Sequence, residues 1–249
     1  MTNERYGRVQ AVNVSTVVKT AVAPTLISTI DLSLGGAFNV DLSSSTAEVE
    51  LVTNGAFTGG TASWTLGSGW AYGSNNVTAS TTSVGSLYQV FGSLLSADVL
   101  YKVSFDIVTA QAGQTITPLL VDASGATLIT GVAQSAASTG TFIQYLIGTA
   151  LCKGVGFVHA AVAGGAIDNV SVKAITTLKL TNPTSGSCYL IKIINGSSPK
   201  ALVQFNPYVM WAGGTPGDLT ATSGAVDLYA LYYDGTNYLA ALTNDYRIR

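Results

Sequence analysis

The sequence predicts an all-β protein built of β-sandwiches, on two observations. Val, Ile, Thr, Tyr and Phe alternate with small polar residues, and Gly, Asn, Asp and Ser interrupt them at short intervals. Gly-free, Glu/Lys-rich stretches with an apolar period of about 3.6 residues, the mark of amphipathic helices, are missing.

The elements follow in order. Residues 1–25 read as an extended N-terminal arm: Val9 to Val22 is apolar without strict alternation, and Pro24 closes it. Such an arm docks on a neighbour, the alternatives being a local edge strand or a frayed terminus. A middle segment, 47–175, opens with Leu51-Val52-Thr53-Asn54-Gly55-Ala56-Phe57 and closes with Ile167-Asp168-Asn169-Val170-Ser171-Val172. The last third is the clearest. Tyr189, Ile191 and Ile193 alternate with Leu190, Lys192 and Ile194. Asn195-Gly196-Ser197-Ser198-Pro199 then turns the chain, and Ala201, Val203 and Phe205 return. A second hairpin joins Val226–Tyr233 to Tyr238–Leu242 through Asp234-Gly235-Thr236-Asn237.

Composition excludes several classes. Lys+Arg number 11 and Asp+Glu 13, together 10% of 249 residues, against about 25% for an average soluble domain. Net charge −2 offers no electrostatic footprint for nucleic acid or acidic lipid. Hydrophobic residues make up 47% and mean hydropathy is +0.39, yet no apolar run reaches the roughly 20 residues of a membrane helix. A chain so poor in charge is expected to hide surface in an assembly. The two cysteines, Cys152 and Cys188, are too few for a disulfide framework or a zinc site. The opening residues carry no apolar signal segment, so retention in a cytoplasm is expected.

Three motifs in order give the middle segment a family likeness. The Asn54-Gly55-Ala56-Phe57 opening, the strand Tyr101-Lys102-Val103-Ser104-Phe105-Asp106 and the Ile167–Val172 close together resemble carbohydrate-binding modules of the galactose-binding-like jelly-roll type. The flanks resemble a small β-domain common in bacteriophage tail-fibre and other virion proteins. Ile30-Asp31-Leu32-Ser33-Leu34-Gly35 and Phe38-Asn39-Val40-Asp41-Leu42 start it. Leu178-Lys179-Leu180-Thr181-Asn182-Pro183, Trp211–Pro216 and Ala225–Leu228 continue it. The resemblances imply a discontinuous anchor domain, 26–46 with 176–249, carrying an inserted jelly roll, 47–175. They further imply a virion structural protein (fibre, tail or capsid surface), assembled in a host cytoplasm, with other virion proteins as partners. Homo-oligomers, with a trimer expected, and non-catalytic binding of host-surface glycan complete that reading. Its rival is a capsid decoration or tail protein whose jelly roll makes protein–protein contacts only.

No catalytic constellation is visible. His159, the one histidine, sits in Phe157-Val158-His159-Ala160 and reads as a strand histidine. Asp98, Asp106, Asp122 and Asp168, with Glu48 and Glu50 at the border, are the carboxylates from which a glycosidase pair would have to come. Sugar binding asks for less: a flat aromatic face for the C–H side of a pyranose and polar side chains for its hydroxyls. The candidates are Trp64, Trp70, Tyr72 and Tyr88, with Asn75, Asn76 and Gln89 as polar partners. Trp70 and Tyr72 are two apart, which on a strand points both to one side. The competing reading for Trp64 and Trp70 is sandwich core. The carbohydrate-module resemblance also implies a structural Ca2+ near the first and last strands, to which Glu50, Asp168 and the carbonyls near Asn54 would contribute. Ala56 stands where that family often has an acidic residue.

Overall fold

The structure is a computed structural model that describes residues 14–18, 27–41, 49–160, 162–175, 177–195, 209–211, 220, 222 and 224–246. The chain divides into two compact units. One draws on Ser28–Ala47 and Leu178–Arg249 together with the first strand, the other on Glu48–Thr177.

The first unit begins with β1 (Val14–Val18), β2 (Ile27–Asp31), a single 3-10 turn at Leu32–Leu34 and β3 (Ala37–Asp41). Asp31 caps that turn by accepting from the Ser33 hydroxyl at 2.7 Å and the Ser33 backbone N–H at 3.0 Å, bonds that lower its pKa. The chain then builds the second unit. Its strands are β4 (Thr65–Leu66), β5 (Trp70–Gly73), β6 (Asn76–Ala79), β7 (Ser86–Val90), β8 (Leu100–Thr109) and β9 (Thr115–Val121). They continue with β10 (Thr127–Thr130), β11 (Gln134–Ser135), β12 (Gly140–Ile147), β13 (Gly154–His159) and β14 (Ala166–Ile175). The first unit resumes with β15 (Thr177–Thr181), β16 (Ser187–Ile194), β17 (Val209–Trp211), β18 (Val226–Tyr233) and β19 (Tyr238–Tyr246).

The second unit is a jelly-roll sandwich. One sheet runs β10-β9-β13-β7-β4, with β11 also on β9, and the other runs β12-β8-β14-β6-β5. Alternation along β8 explains the layering: Val103, Phe105 and Ile107 are buried while Lys102, Ser104 and Asp106 turn outward. Phe105 meets Phe157 of the facing sheet edge-on, ring centroids 5.1 Å apart, in the middle of the core. Asn169 adopts φ +50 where the β14–β8 register slips between Asp168 and Ser171, a bulge that Asn tolerates better than most residues.

In the first unit the sheet order is β1-β3-β16-β18-β19-β17, and β2 pairs with β15. Strand β3 lies parallel to β16, Phe38 opposite Ile191 and Val40 opposite Ile193. Residues before the second unit therefore pair with residues after it. Their inward side chains join Leu178, Tyr189, Tyr229 and Tyr238 in a core of their own. Of the arm expected over 1–25 the structure describes Val14–Val18, which take the edge-strand alternative: β1 lies parallel to β3 of the same chain. A short apolar strand gains more from completing its own sheet than from staying extended. The rest of that arm, and the returning strand expected at 201–205, lie outside the described residues. The β18–β19 hairpin turns at Asp234, whose carboxylate accepts from the N–H groups of Thr236 and Asn237 and is held below the usual carboxylate range.

Candidate functional site

Strands β5 and β6 form a tight hairpin, Gly73 opposite Asn76, with Ser74 and Asn75 at its tip. Asn75 sits at φ +57, a conformation its short polar side chain tolerates. Its Oδ1 accepts from the Tyr72 hydroxyl at 3.2 Å and from the Gly59 N–H at 3.2 Å. These bonds tie the tip to the neighbouring loop and fix the direction of the Tyr72 ring. Tyr72 is 43% exposed, the one exposed aromatic among the described residues of the jelly roll. On the same hairpin, Asn76 accepts from the Thr78 hydroxyl at 3.2 Å and donates to Ser74 O.

Three of the other sequence candidates belong to the core. Trp70 is buried, its indole N–H donating to Gly85 O at 2.9 Å and its ring meeting His159 edge-on at 5.0 Å. The backbone around 83–86 packs so tightly here that a Cβ on Gly69 would lie 1.9 Å from Ser83 O. That loop covers Trp70 and stops short of Tyr72, so the shared side of β5 makes no two-ring platform. Trp64 is likewise buried, donating to Asn54 O at 3.1 Å with its ring 5.2 Å from Phe57. Gln89 is 2% exposed and clasps the backbone of Thr53: it accepts from Thr53 N–H and donates to Thr53 O, both at 2.7 Å. A side chain buried that deeply and bonded at both ends of its amide is out of a ligand's reach. Tyr88 is half-buried on the other sheet, its ring flush with Gly125, where a Cβ would come within 2.4 Å of the ring. The hairpin thus brings Tyr72 and Asn75 together, and Tyr88 stands apart from them.

The residues expected to hold Ca2+ do not fit it. Glu50 Oε1 accepts from the N–H groups of Val52 and Val172, at 3.0 and 2.8 Å, and Oε2 accepts from the Ser171 hydroxyl. Asn54 donates from its side chain to Gly60 O and Ala62 O, and its carbonyl accepts from Trp64 and from Phe57 N–H. Asp168 faces Asp106 across β14 and β8. Burial and the Asp106 charge raise its pKa, partly countered by the Asn169 N–H. Among the described residues no three His, Cys, Asp or Glu side chains gather as a metal site. Glu50 fills with hydrogen bonds the role a cation would have had, fastening the entry strand to β14.

The same geometry bears on the carboxylates. Asp122 holds the β9–β10 turn by accepting from Ser124 and Ala126. Asp106 spends one oxygen on the Thr141 hydroxyl at 2.5 Å and the other on the Asn169 amide at 2.8 Å. This polar row on the outer face was missed in the sequence. Its signal was present, since the Asp of Tyr-x-Val-Ser-Phe-Asp registers with the Asp of Ile-Asp-Asn. His159 Nδ1 lies 2.6 Å from Ala160 O and the residue is buried.

No known family model matches the chain, and no curated protein matches it. Similar solved structures exist. The enzymatically active domain of tailspike protein 4 from bacteriophage CBA120 is 12% identical, with a TM-score of 0.38 over 51% of this chain and 22% of that one. A family 16 carbohydrate-binding module is 15% identical, with a TM-score of 0.36 over 49% of this chain and 98% of the module. The CBM22-1 xylan-binding domain of Paenibacillus barcinonensis Xyn10C is 13% identical, with a TM-score of 0.38 over 52% and 97%.

Proposed function

We propose that this chain is a bacteriophage virion structural protein whose jelly roll binds host-surface glycan without catalysis. The observation that carries the glycan reading is the Tyr72–Asn75 pair: an exposed ring held in place from behind, beside hairpin amides able to meet sugar hydroxyls. Asp106 and Asp168 lie on an outward sheet face, and Asp106 is committed to Thr141 and Asn169, which favours binding over hydrolysis. The virion reading rests on the tail-fibre likeness of the flanks and on the low charge. Repetition of a weak site over many copies, a trimer of anchors included, would supply avidity.

The test is binding of the full chain to host-cell polysaccharides on an array. Wild type should bind and leave the polysaccharide at full length. Tyr72→Ala should weaken binding about 5- to 30-fold, which is the loss of roughly 1–2 kcal/mol of ring stacking. No binding by wild type, or equal binding by Tyr72→Ala, refutes the reading and leaves the structural alternative, a jelly roll that contacts only protein.

A further inference from the structure

Independently of the glycan reading, we infer that the outward face of the anchor sheet, across β3, β16, β18, β19 and β17, is covered by another copy of this chain. Alternation along β16 sends Tyr189, Ile191 and Ile193 into the core and Cys188, Leu190 and Lys192 outward. In a sheet with one solvated face the outward set is polar. Here two registered cross-strand rows are apolar from end to end. One is Ala37–Leu190–Ala230–Ala241. The next is Cys188–Tyr232–Leu239–Met210. A third, Asn39–Lys192–Leu228–Thr243, brings in the one charged side chain of the three rows. Leu190, Tyr232, Leu239 and Met210 are 44%, 40%, 44% and 55% exposed. Between them lies an open depression of about 490 Å3, with Trp211 on its wall.

The size of this face decides what covers it. Strands β3, β16, β18, β19 and β17 have five, eight, eight, nine and three residues; at about 3.4 Å per residue and 4.8 Å between strands the face projects roughly 500 Å2 before side-chain relief is counted. Its two apolar rows alone cover about 300 Å2, each taking some 6.8 Å of strand length across the sheet, which is already the size of the largest apolar patch on many monomers, about 300–600 Å2. With relief the whole face approaches the roughly 800 Å2 per partner of a stable interface. Depletion of charge is the character of interfaces between identical subunits, which are more apolar than transient ones. Relief points the same way: Met210 and Tyr232 project beside a depression on the same face, so the face carries both knobs and a hole. With net charge −2 and a single lysine in the rows, it offers no electrostatic handle for selecting an unlike partner or a lipid surface.

The test is the mass of the full chain in solution by light scattering. Wild type should run at a multiple of 25.5 kDa, and the double variant Leu190→Lys/Leu239→Lys at 25.5 kDa. Both positions point outward, so the variant should keep the far-ultraviolet spectrum of wild type. Val132→Lys, on the exposed jelly-roll surface, should leave the mass unchanged. A second readout needs no variant. Cys188 in native wild type should react with a maleimide at least about tenfold more slowly than in the urea-unfolded chain, read at its own peptide. A wild-type mass of 25.5 kDa, a multimer that survives the double variant, or equal Cys188 reactivity overturns the inference and leaves the glycan reading untouched.

Discussion

Adding one methyl group at Gly55 should loosen the whole jelly roll. A Cβ there would lie 1.9 Å from the carbonyl oxygen of Val170, with the carbonyl carbon at 3.0 Å. Both obstacles are backbone, so no rotamer change relieves them. Reaching ordinary contact at about 3.4 Å requires the two chains to part by about 1.5 Å. The Val170 N–H to Gly55 O bond, now 2.9 Å, would stretch beyond hydrogen-bonding range. Losing a partly buried backbone bond costs about 1–3 kcal/mol, and strain from overpacking adds about 1–3, so Gly55→Ala should cost roughly 2–6 kcal/mol. Native stabilities of about 5–15 kcal/mol make that a large share, equivalent to a fall in melting temperature of roughly 6–18 °C for a unit of this size. Calorimetry reads the fall, and amide hydrogen exchange should place the lost protection in β14 and β8. A melting temperature within about 2 °C of wild type would mean that the strands part at little cost and that the close approach does not hold the fold.

The remaining predictions concern the two other fastenings. Asp227 is fully buried and accepts from Asn195 Nδ2, Thr220 N–H and the Thr220 hydroxyl at 2.9, 2.7 and 2.7 Å. Asp227→Ala strands those donors and should cost about 2–4 kcal/mol, seen by hydrogen exchange as lost protection in β16 and β18 with β8 and β14 unchanged. Glu50 acts as a clasp without an ion, so a chelator should leave the melting temperature unmoved while Glu50→Ala lowers stability by about 1–3 kcal/mol. A chelator-induced fall in melting temperature would refute the clasp.

What the sequence made legible was local. The turn at Asp234 is decided within four positions by a carboxylate reaching its own following N–H groups, and Asp-Gly-Thr-Asn announces it. In/out alternation along β8 is equally local. What stayed hidden was settled by residues far away in the chain. Gln89 has the composition of a rim residue, and its bonds to Thr53, 36 positions back, make it a clasp instead. Glu50 reads as a metal ligand until Ser171 and Val172, more than 120 positions on, take its oxygens. In β16 the alternation itself was ambiguous: Leu190 and Ile191 are both apolar, so hydropathy does not tell the core row from the outward one. Only the second layer, β2 with β15, separates them.

Trp70 and Tyr72 show the same limit at closer range. A period of two correctly gives two side chains on one side of β5, but the side of a strand is a direction and exposure is a matter of what lies above it. Three glycines, Gly67, Gly69 and Gly85, let the 83–86 backbone settle on the start of β5, where any Cβ would come within 3 Å of main-chain atoms. The cover ends before the hairpin tip, and the ring beyond it stays in water with its hydroxyl anchored on Asn75. The glycines thus do two things at once: they bury Trp70 as a core residue and, by ending where they do, leave Tyr72 as the surface aromatic. Filling any of them would shift the cover and with it the exposure of Tyr72, so on this argument the core packing and the candidate glycan contact depend on the same close approach.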